Sequence, residues 1–277
     1  MPSSRKIMHE PTKAVFYLYF YVIYTLRRLV GGGRDIEMLG DGHRRPNLTW
    51  KLFRLLGLRV VRSDADLAYY HQDATEVAGV ANAVNGRCAN ISKSLVGETF
   101  RDVAGYDLDI DPSAFCGPIV RKSETNAAHD GAVLQGPISG PEPGFVYQRL
   151  IDNTVDGGLV RDIRPAVIGK EIPYCYLKYR PVGSRFSNDN SFVRCVSVDA
   201  VLTRSEQNIV LRFAERMGLD VGEVDVLRDK ASGRIYIVDV AKTPHSPSDN
   251  FIGIGGIVAM HRGASAFRRQ FLDKRAT

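Results

Sequence analysis

Apolar and polar positions follow two rhythms along this chain. Thirteen residues from Ala14 to Leu26, AVFYLYFYVIYTL, carry no charge and are bracketed by Lys13 and Arg27-Arg28. As a helix they would cover about 20 Å, short of the ~30 Å hydrocarbon core of a bilayer. The Gly31-Gly32-Gly33 run then predicts a hinge or turn. Pro46 to Leu56 predicts a short helix with Leu48, Leu52, Leu55 and Leu56 on one face. Arg59–Arg62 and Leu67–His71, rich in Val and Tyr, predict strands. Asn82, Asn85 and Asn90 around Gly86 mark a loop before a helix over Lys93–Ala104, which Gly105 stops.

Strands dominate the next stretch. Pro112 and Gly117-Pro118 punctuate a linker, and Ile119–Lys122 is a strand. Gln135 to Gly144 reads as an exposed loop, followed by strands over Phe145–Ile151, Leu159–Val167, Tyr174–Tyr179 and Phe192–Val198. Thr203-Arg-Ser-Glu206 is a capping box opening a helix with Ile209, Phe213 and Met217 on one face, closed by Gly218. Val224–Leu227 and Ile235–Val240 are strands joined by the turn Asp229–Gly233, and the tail from Ile257 to Phe271 is helical. Strands often follow one another directly, which is an α+β pattern, and no internal repeat is present.

Composition narrows the class. At 277 residues with 44% hydrophobic and 25% charged residues, the chain suits one large domain or two small ones. Disordered and fibrous classes are excluded. The net charge is +6, yet residues 1–63 hold 12 Lys/Arg and 4 Asp/Glu, a net of +8, leaving the body near −2. A near-neutral body without a nucleic-acid motif argues against nucleic-acid partners. Cys88, Cys116, Cys175 and Cys195 form no CxxC pair, so they read as reduced, mostly buried thiols of a cytoplasmic protein. HExxH, Walker A and GxSxG motifs are missing from the sequence.

The aromatic amino-terminal run supports two readings. In one it packs on the core or on a second subunit, as in a homodimer. In the other, residues 14–30 rest in the plane of an anionic membrane surface and govern where the protein sits.

Candidate chemistry falls into five clusters: Lys93 after Asn90-Ile-Ser; Lys122 at a strand end; Gln148-Arg-Leu-Ile-Asp152; Asp162-Ile-Arg164; and Asp225 with Asp239 on two strands joined by a turn. Carboxylates on adjacent antiparallel strands can share a face, and two of them suit Mg²⁺ that keeps waters and binds substrate phosphates. Lysines on other elements suit phosphate oxygens.

The order of these clusters over roughly residues 80–250 resembles the ATP-grasp fold, with a basic, aromatic-rich amino-terminal extension before it. A Lys precedes a lid subdomain; a strand Lys and a Gly-containing loop, His129-Asp130-Gly131, follow; a hinge strand, an Asp-x-Arg strand and an acidic hairpin, Glu223-Val-Asp225 with Tyr236–Pro244, complete it. The resemblance implies an extension (1–63), an α/β subdomain (64–112), a lid (113–152) and a carboxyl-terminal subdomain with the metal site (153–277). It implies ATP and Mg²⁺ as cofactors. Lys93 and Lys122 would hold the α/β-phosphates, and residues around His129 and Gly131 would close over them. Backbone groups of Gln148, Arg149 and Leu150 would meet adenine, and Asp152 the ribose. Arg164 and Arg180 would face the γ-phosphate and the acyl-phosphate it forms, while Asp225 and Asp239 would bind Mg²⁺.

One position departs from the resemblance. The last strand of such folds reads acidic-x-Asn, and here Ala241 stands in place of the Asn. Water, Asn188 or Asn190 would replace that ligand, or a single Mg²⁺ binds, or Lys242 supplies part of the charge. The implied reaction is ATP-dependent joining of a carboxylate to an amine through an acyl-phosphate, with a small-molecule, peptide or glycan acceptor. The alternatives are a kinase of the same fold acting on a sugar or polyol hydroxyl, and a non-catalytic ATP-binding module. His129 and His245 are base candidates by ordinary pKa alone.

Overall fold

The computed structural model describes residues 4–30, 34–42, 47–187, 190–245 and 254–273, with side chains from Ala14 in the first stretch. The expected break at Gly31–Gly33 and the residue Pro46 lie outside these. The apolar amino-terminal run is the middle of a longer helix, α1 (Ser4–Leu29). The charge-free window understates it because its charged flanks are helical as well. Phe16 and Phe20 of α1 are buried in a core with Leu48, Leu52 and Phe53 of α2 (Leu48–Leu56). Burying each such ring contributes about 1.5–3 kcal/mol. Asn47 starts α2, its Oδ1 accepting the Trp50 N–H at 2.9 Å, and Gly57 ends it at φ 70°.

A first, parallel sheet has the order β2-β1-β3-β4, from β1 (Asp35–Gly40), β2 (Arg59–Val61), β3 (Leu67–His71) and β4 (Ala83–Val84). β1 was not expected: Asp35-Ile-Glu-Met-Leu-Gly carries two acids, and among these residues only Ile36 is buried. Because β1 and β2 pair in one sheet with β3, an expected boundary at 63/64 falls inside that sheet.

Helix α3 (Lys93–Ala104) ends at Gly105 in the left-handed region, as its sequence requires. A second sheet of order β6-β5-β7 follows, from β5 (Gly117–Ser123), β6 (Ala132–Gly136) and β7 (Phe145–Arg149). Here Gln135 and Gly136, expected in a loop, pair with Pro118 and Gly117 as an edge strand.

The third sheet is antiparallel, in the order β11-β10-β9-β12-β13 with β8 on β9. Its strands are β8 (Thr154–Val155), β9 (Leu159–Ile168), β10 (Cys175–Pro181), β11 (Phe192–Val196), β12 (Val221–Arg228) and β13 (Ile235–Ala241). Helix α4 (Arg204–Met217) starts at the expected capping box: Thr203 Oγ1 accepts the Glu206 N–H at 3.3 Å, and Glu206 Oε2 accepts the Thr203 N–H at 2.8 Å. Helix α5 (Ile254–Phe267) runs on into a wider turn over Arg268–Leu272.

Period-two alternation gives this sheet two unlike faces. Ile163, Val167, Leu177, Val224 and Ile237 pack beneath α3 and α4 with Phe100, Val210 and Phe213. On the opposite face, Ala166, Tyr176 and Val221 join the core that holds α1, α2 and α5. Beyond them that same face turns charged, and the site lies there.

Candidate active site

The charged face is a product of register. Asp162 and Arg164 on β9 alternate with Ile163, Lys178 and Arg180 on β10 alternate with Tyr179, and Glu223 and Asp225 on β12 alternate with Val224. Lys178 pairs with Asp162, Tyr176 with Arg164, Asp225 with Asp239, and Glu223 with Ala241. Where Asp225↔Asp239 gives way to Val226↔Ile237, a bulge leaves Val238 without a ladder partner in this hairpin. Its carbonyl accepts the Lys122 Nζ at 3.1 Å, so the bulge aims a backbone oxygen at the second sheet.

These side chains floor a cavity of about 500 Å³, roofed by the β5–β7 sheet and its loops. Lys93, Lys122, Arg164, Arg180, Asp225 and Asp239 all line it. So do His129 and Gly131 on the roof and Gln148, Arg149 and Leu150 at the hinge. Asp152 and Lys242 do not. Asp152 is exposed, its Oδ1 accepting from Thr154 N–H at 3.1 Å and Oγ1–H at 2.6 Å in a turn. Lys242 is sent to the other side of the strand from Ala241, and its Nζ donates to the Cys88 carbonyl at 3.4 Å. It supplies no charge to the cavity. Of the two Asn residues, Asn190 lines the cavity and Asn188 is outside the described residues.

Ion pairing organises the charges. Lys93 Nζ donates to Asp239 Oδ1 at 2.5 Å, and that oxygen also accepts the Val240 N–H at 2.8 Å. Arg164 Nε lies 3.0 Å from Glu223 Oε2 and 2.8 Å from Asp225 Oδ1. Arg180 pairs with Asp162 and donates to the Ser187 carbonyl at 3.0 Å. Burial pushes Asp225 up, but Arg164, Lys178 and Arg180 outweigh it and hold its carboxyl below the ordinary carboxylate value. Burial pulls Lys122 down to about 8 against the pull of Asp239, and pulls Lys178 down to about 8, with Arg164 adding to the effect. The site therefore holds cations that are poorly solvated and under-compensated, a setting that favours an arriving anion.

Asp162 and Glu223 stand in expected motifs without an assigned role, and Lys178 was not expected as a site residue. The signal was present: in each strand they stand two positions from an expected residue, on the same face. Glu223 also occupies the position across from Ala241, where an Asn side chain would otherwise project.

The hinge is more constrained than its sequence implies. The Arg149 N–H donates to the Leu108 carbonyl and the Leu150 N–H to the Pro118 carbonyl, both at 3.1 Å, so these donors are engaged within the protein. Gln148 Nε2 donates to Asp109 Oδ1 at 2.9 Å. On the roof, a Cβ at Gly131 would come within 2.6 Å of Phe186, so only glycine allows the roof loop to lie against that ring.

The residues fit a magnesium ion of limited protein coordination. Asp225 Oδ1 is buried and accepts no directed hydrogen bond, and it faces Asp239 across the hairpin. Among the described residues no group of three His, Cys, Asp or Glu could hold a metal by itself. Two carboxylates complemented by water and phosphate oxygens are the usual Mg²⁺ arrangement at nucleotide sites.

No protein-family model matches the chain, and no curated protein does. Solved structures do. The D-cycloserine synthetase DcsG matches with a TM-score of 0.51 at 12% identity, covering 84% of this chain and 99% of that one. D-alanine–D-alanine ligase from Bacillus anthracis matches with a TM-score of 0.50 at 10% identity, covering 88% and 98%. The ATP-grasp ligase PsnB complexed with minimal precursor matches with a TM-score of 0.45 at 15% identity, covering 66% of this chain and spanning 64% of the length of that one. At such identities the likeness is one of fold: this chain has the ATP-grasp fold.

Proposed function

We propose that this chain, with its ATP-grasp fold, is an ATP-dependent ligase that joins a carboxylate to an amine, releasing ADP and phosphate. The observation that carries the reading is the row of ion-paired charges on one face of the third sheet, with Asp225 opposite Asp239 and Arg164, Lys178 and Arg180 beside them. Lys93 and Lys122 bind the α- and β-phosphates, Lys93 exchanging its contact with Asp239 for phosphate oxygen. The β5–β7 sheet serves as the lid. Asp225 and Asp239 would hold Mg²⁺, which when bound neutralises phosphate charge. With the donors of Arg149 and Leu150 engaged, adenine is met at the hinge through carbonyl acceptors.

In the first step a substrate carboxylate oxygen bonds to the γ-phosphorus as the bond from that phosphorus to the β–γ bridging oxygen breaks, and ADP leaves. In the second, the amine nitrogen attacks the acyl carbon, the bond from that carbon to the phosphoryl oxygen breaks, and the departing phosphate takes up the proton that the amine loses. Phosphoryl transfer needs positioning and charge neutralisation more than covalent help, and Arg164, Lys178 and Arg180 suit both. A hydroxyl acceptor, as a kinase would use, asks for a carboxylate base. Here Asp162, Glu223, Asp225 and Asp239 are each ion-paired to a cation. A carboxylate acceptor arrives already ionised and needs none for the phosphoryl transfer itself. Two neighbours of this fold are by name a ligase and a synthetase.

The test is ADP release by purified protein supplied with pooled carboxylates, amines, sugars and polyols, followed by ³¹P NMR on active pools. Free inorganic phosphate with an amide product supports the ligase. A stable phosphorylated sugar or polyol sinks it in favour of a kinase, and no ADP from any pool leaves only ATP binding.

A further inference from the structure

Helix α1 is built with two apolar faces, and only one of them is in the core. Phe16 and Phe20 point inward. On the outside, Val15, Leu18, Val22, Leu26 and Leu29 are 46–77% exposed. Their spacing of three and four residues makes them a single stripe along the helix. A soluble helix normally presents charge there. No Asp or Glu occurs from Ala14 to Arg34, and α1 as a whole holds five Lys/Arg against one Glu.

The borders of the stripe carry side chains that combine an apolar body with a polar tip. On one flank the Arg54 guanidinium lies 4.3 Å from the Tyr24 ring, 5.1 Å from Tyr21 and 5.4 Å from Trp50. On the other, the Tyr19 hydroxyl bonds His261 Nε2 at 2.5 Å, which ties α1 to α5. There Val258 and Ile254 are exposed again, and Arg262 stands beside His261 on the surface. Arg27 is exposed at the carboxyl end of the stripe. Tyr, Trp and Arg at the margin of an apolar surface are the side chains that favour the headgroup level of a bilayer.

We propose that the outer face of α1, together with the exposed start of α5, docks in the plane of an anionic lipid surface. No helix of the described residues is long and apolar enough to cross a membrane, so the mode is lying on rather than spanning. The stripe supplies apolar contact, and the basic residues supply attraction to acidic headgroups. Charge favours lipid over the other natural occupant, a second copy of the chain: the exposed Arg27 and Arg262 would meet acidic headgroups there, whereas a facing α1 offers them no acid from Ala14 onward. The body, near −2, adds no attraction of its own, so binding depends on this face.

Deleting α1 would not test this, because Phe16 and Phe20 would leave the core with it. The experiment is flotation of the full chain with vesicles of phosphatidylcholine alone and of phosphatidylcholine with phosphatidylglycerol. The chain is expected to float with the anionic vesicles only and to be released by high salt. Substituting Leu18→Gln, Val22→Gln and Leu26→Gln together should abolish flotation while leaving the melting temperature near that of the parent. Arg27→Gln should lower partitioning about fivefold. The proposal is overturned if the full chain stays unbound on anionic vesicles at low salt. It is equally overturned if analytical ultracentrifugation finds a dimer that the triple substitution dissociates.

Discussion

Asp225 and Asp239 face each other across the β12–β13 hairpin, yet the protein treats them differently. Asp225 is held by Arg164 from within the sheet, whereas Asp239 is held by Lys93 from α3. In the proposed reaction Asp239 is thus the carboxylate whose partner moves when phosphate arrives. Asp239→Asn keeps the shape and the Val240 turn contact but removes the charge that draws Lys93 and a metal ion. ADP release should fall by about 10²–10³-fold, with the melting temperature held within a few degrees. A variant at near parental rate would mean Asp239 is only a strand residue and would move the acidic site to Glu223. Most of this site was legible residue by residue, because Lys93, Lys122, Arg164, Asp225 and Asp239 are charged residues on strands or at a helix start, where charge needs a reason. Lys178, and a role for Glu223, were harder to read for a physical cause. A lone charge on a strand is ordinarily solvated, and only the register, which pairs Lys178 with Asp162 and Glu223 with Ala241, turns it inward. Asp152 and Lys242 misled for the converse reason: each stands next in sequence to the site, and alternation or a turn carries the side chain away.

Among the elements, those with caps and turn signals were read closely from sequence. α3 and α4 sit between the residues expected of them, since a capping box and glycines in the left-handed region are local chemistry. β1 and β6 were missed although each holds three apolar residues: the two acids of β1 and the Gln-Gly-Pro turn signal that ends β6 mask them, while β1 is stabilised by parallel neighbours on both sides and β6 is an edge strand paired only to β5. Length was the error in α1, where helical pitch continues through charged residues that a hydrophobic window discards. The roof loop offers a test at this scale. Ala127 and His129 adopt φ of 58° and 54°, and the next turn of chain brings Gly131 against Phe186. Gly131→Val should push the loop off that ring and raise the KM for ATP several-fold, with little change in melting temperature because no core residue is involved. Pairing it with Phe186→Ala should recover part of the loss, which a merely local backbone effect would not. If the double variant is the plain sum of the singles, the contact does not govern the roof.

At the scale of the molecule, the third sheet joins the two cores, since Ile163 and Val167 serve one face while Ala166 and Ile168 serve the other. A ligand bound at its charged end therefore stabilises both. ATP with Mg²⁺ at 100 times its dissociation constant should add about 2.7 kcal/mol, or about 5–10 °C in melting temperature. The increment should also depend on pH with a definite sign. Lys122 and Lys178 are pulled from an ordinary 10.5 to about 8, so between those values the unfolded chain binds more protons and these two groups make the unliganded fold more stable as pH rises. Phosphate reverses the preference, because it needs them charged. Raising the pH from about 7.5 to about 9 should cut ATP affinity by about tenfold for each lysine that touches phosphate, and the melting increment should shrink accordingly. Taking the difference between liganded and unliganded protein at each pH cancels remote groups such as Cys88 and Tyr69, whose own titration would otherwise blur the comparison. The triphosphate itself is fully ionised across this window, so the change belongs to the protein. In Lys122→Met the increment at pH about 7.5 should be smaller and its decline towards pH 9 shallower. An increment that is absent at every pH would remove the nucleotide from this cavity. One that is present but flat with pH would keep the nucleotide and place its phosphates away from both lysines.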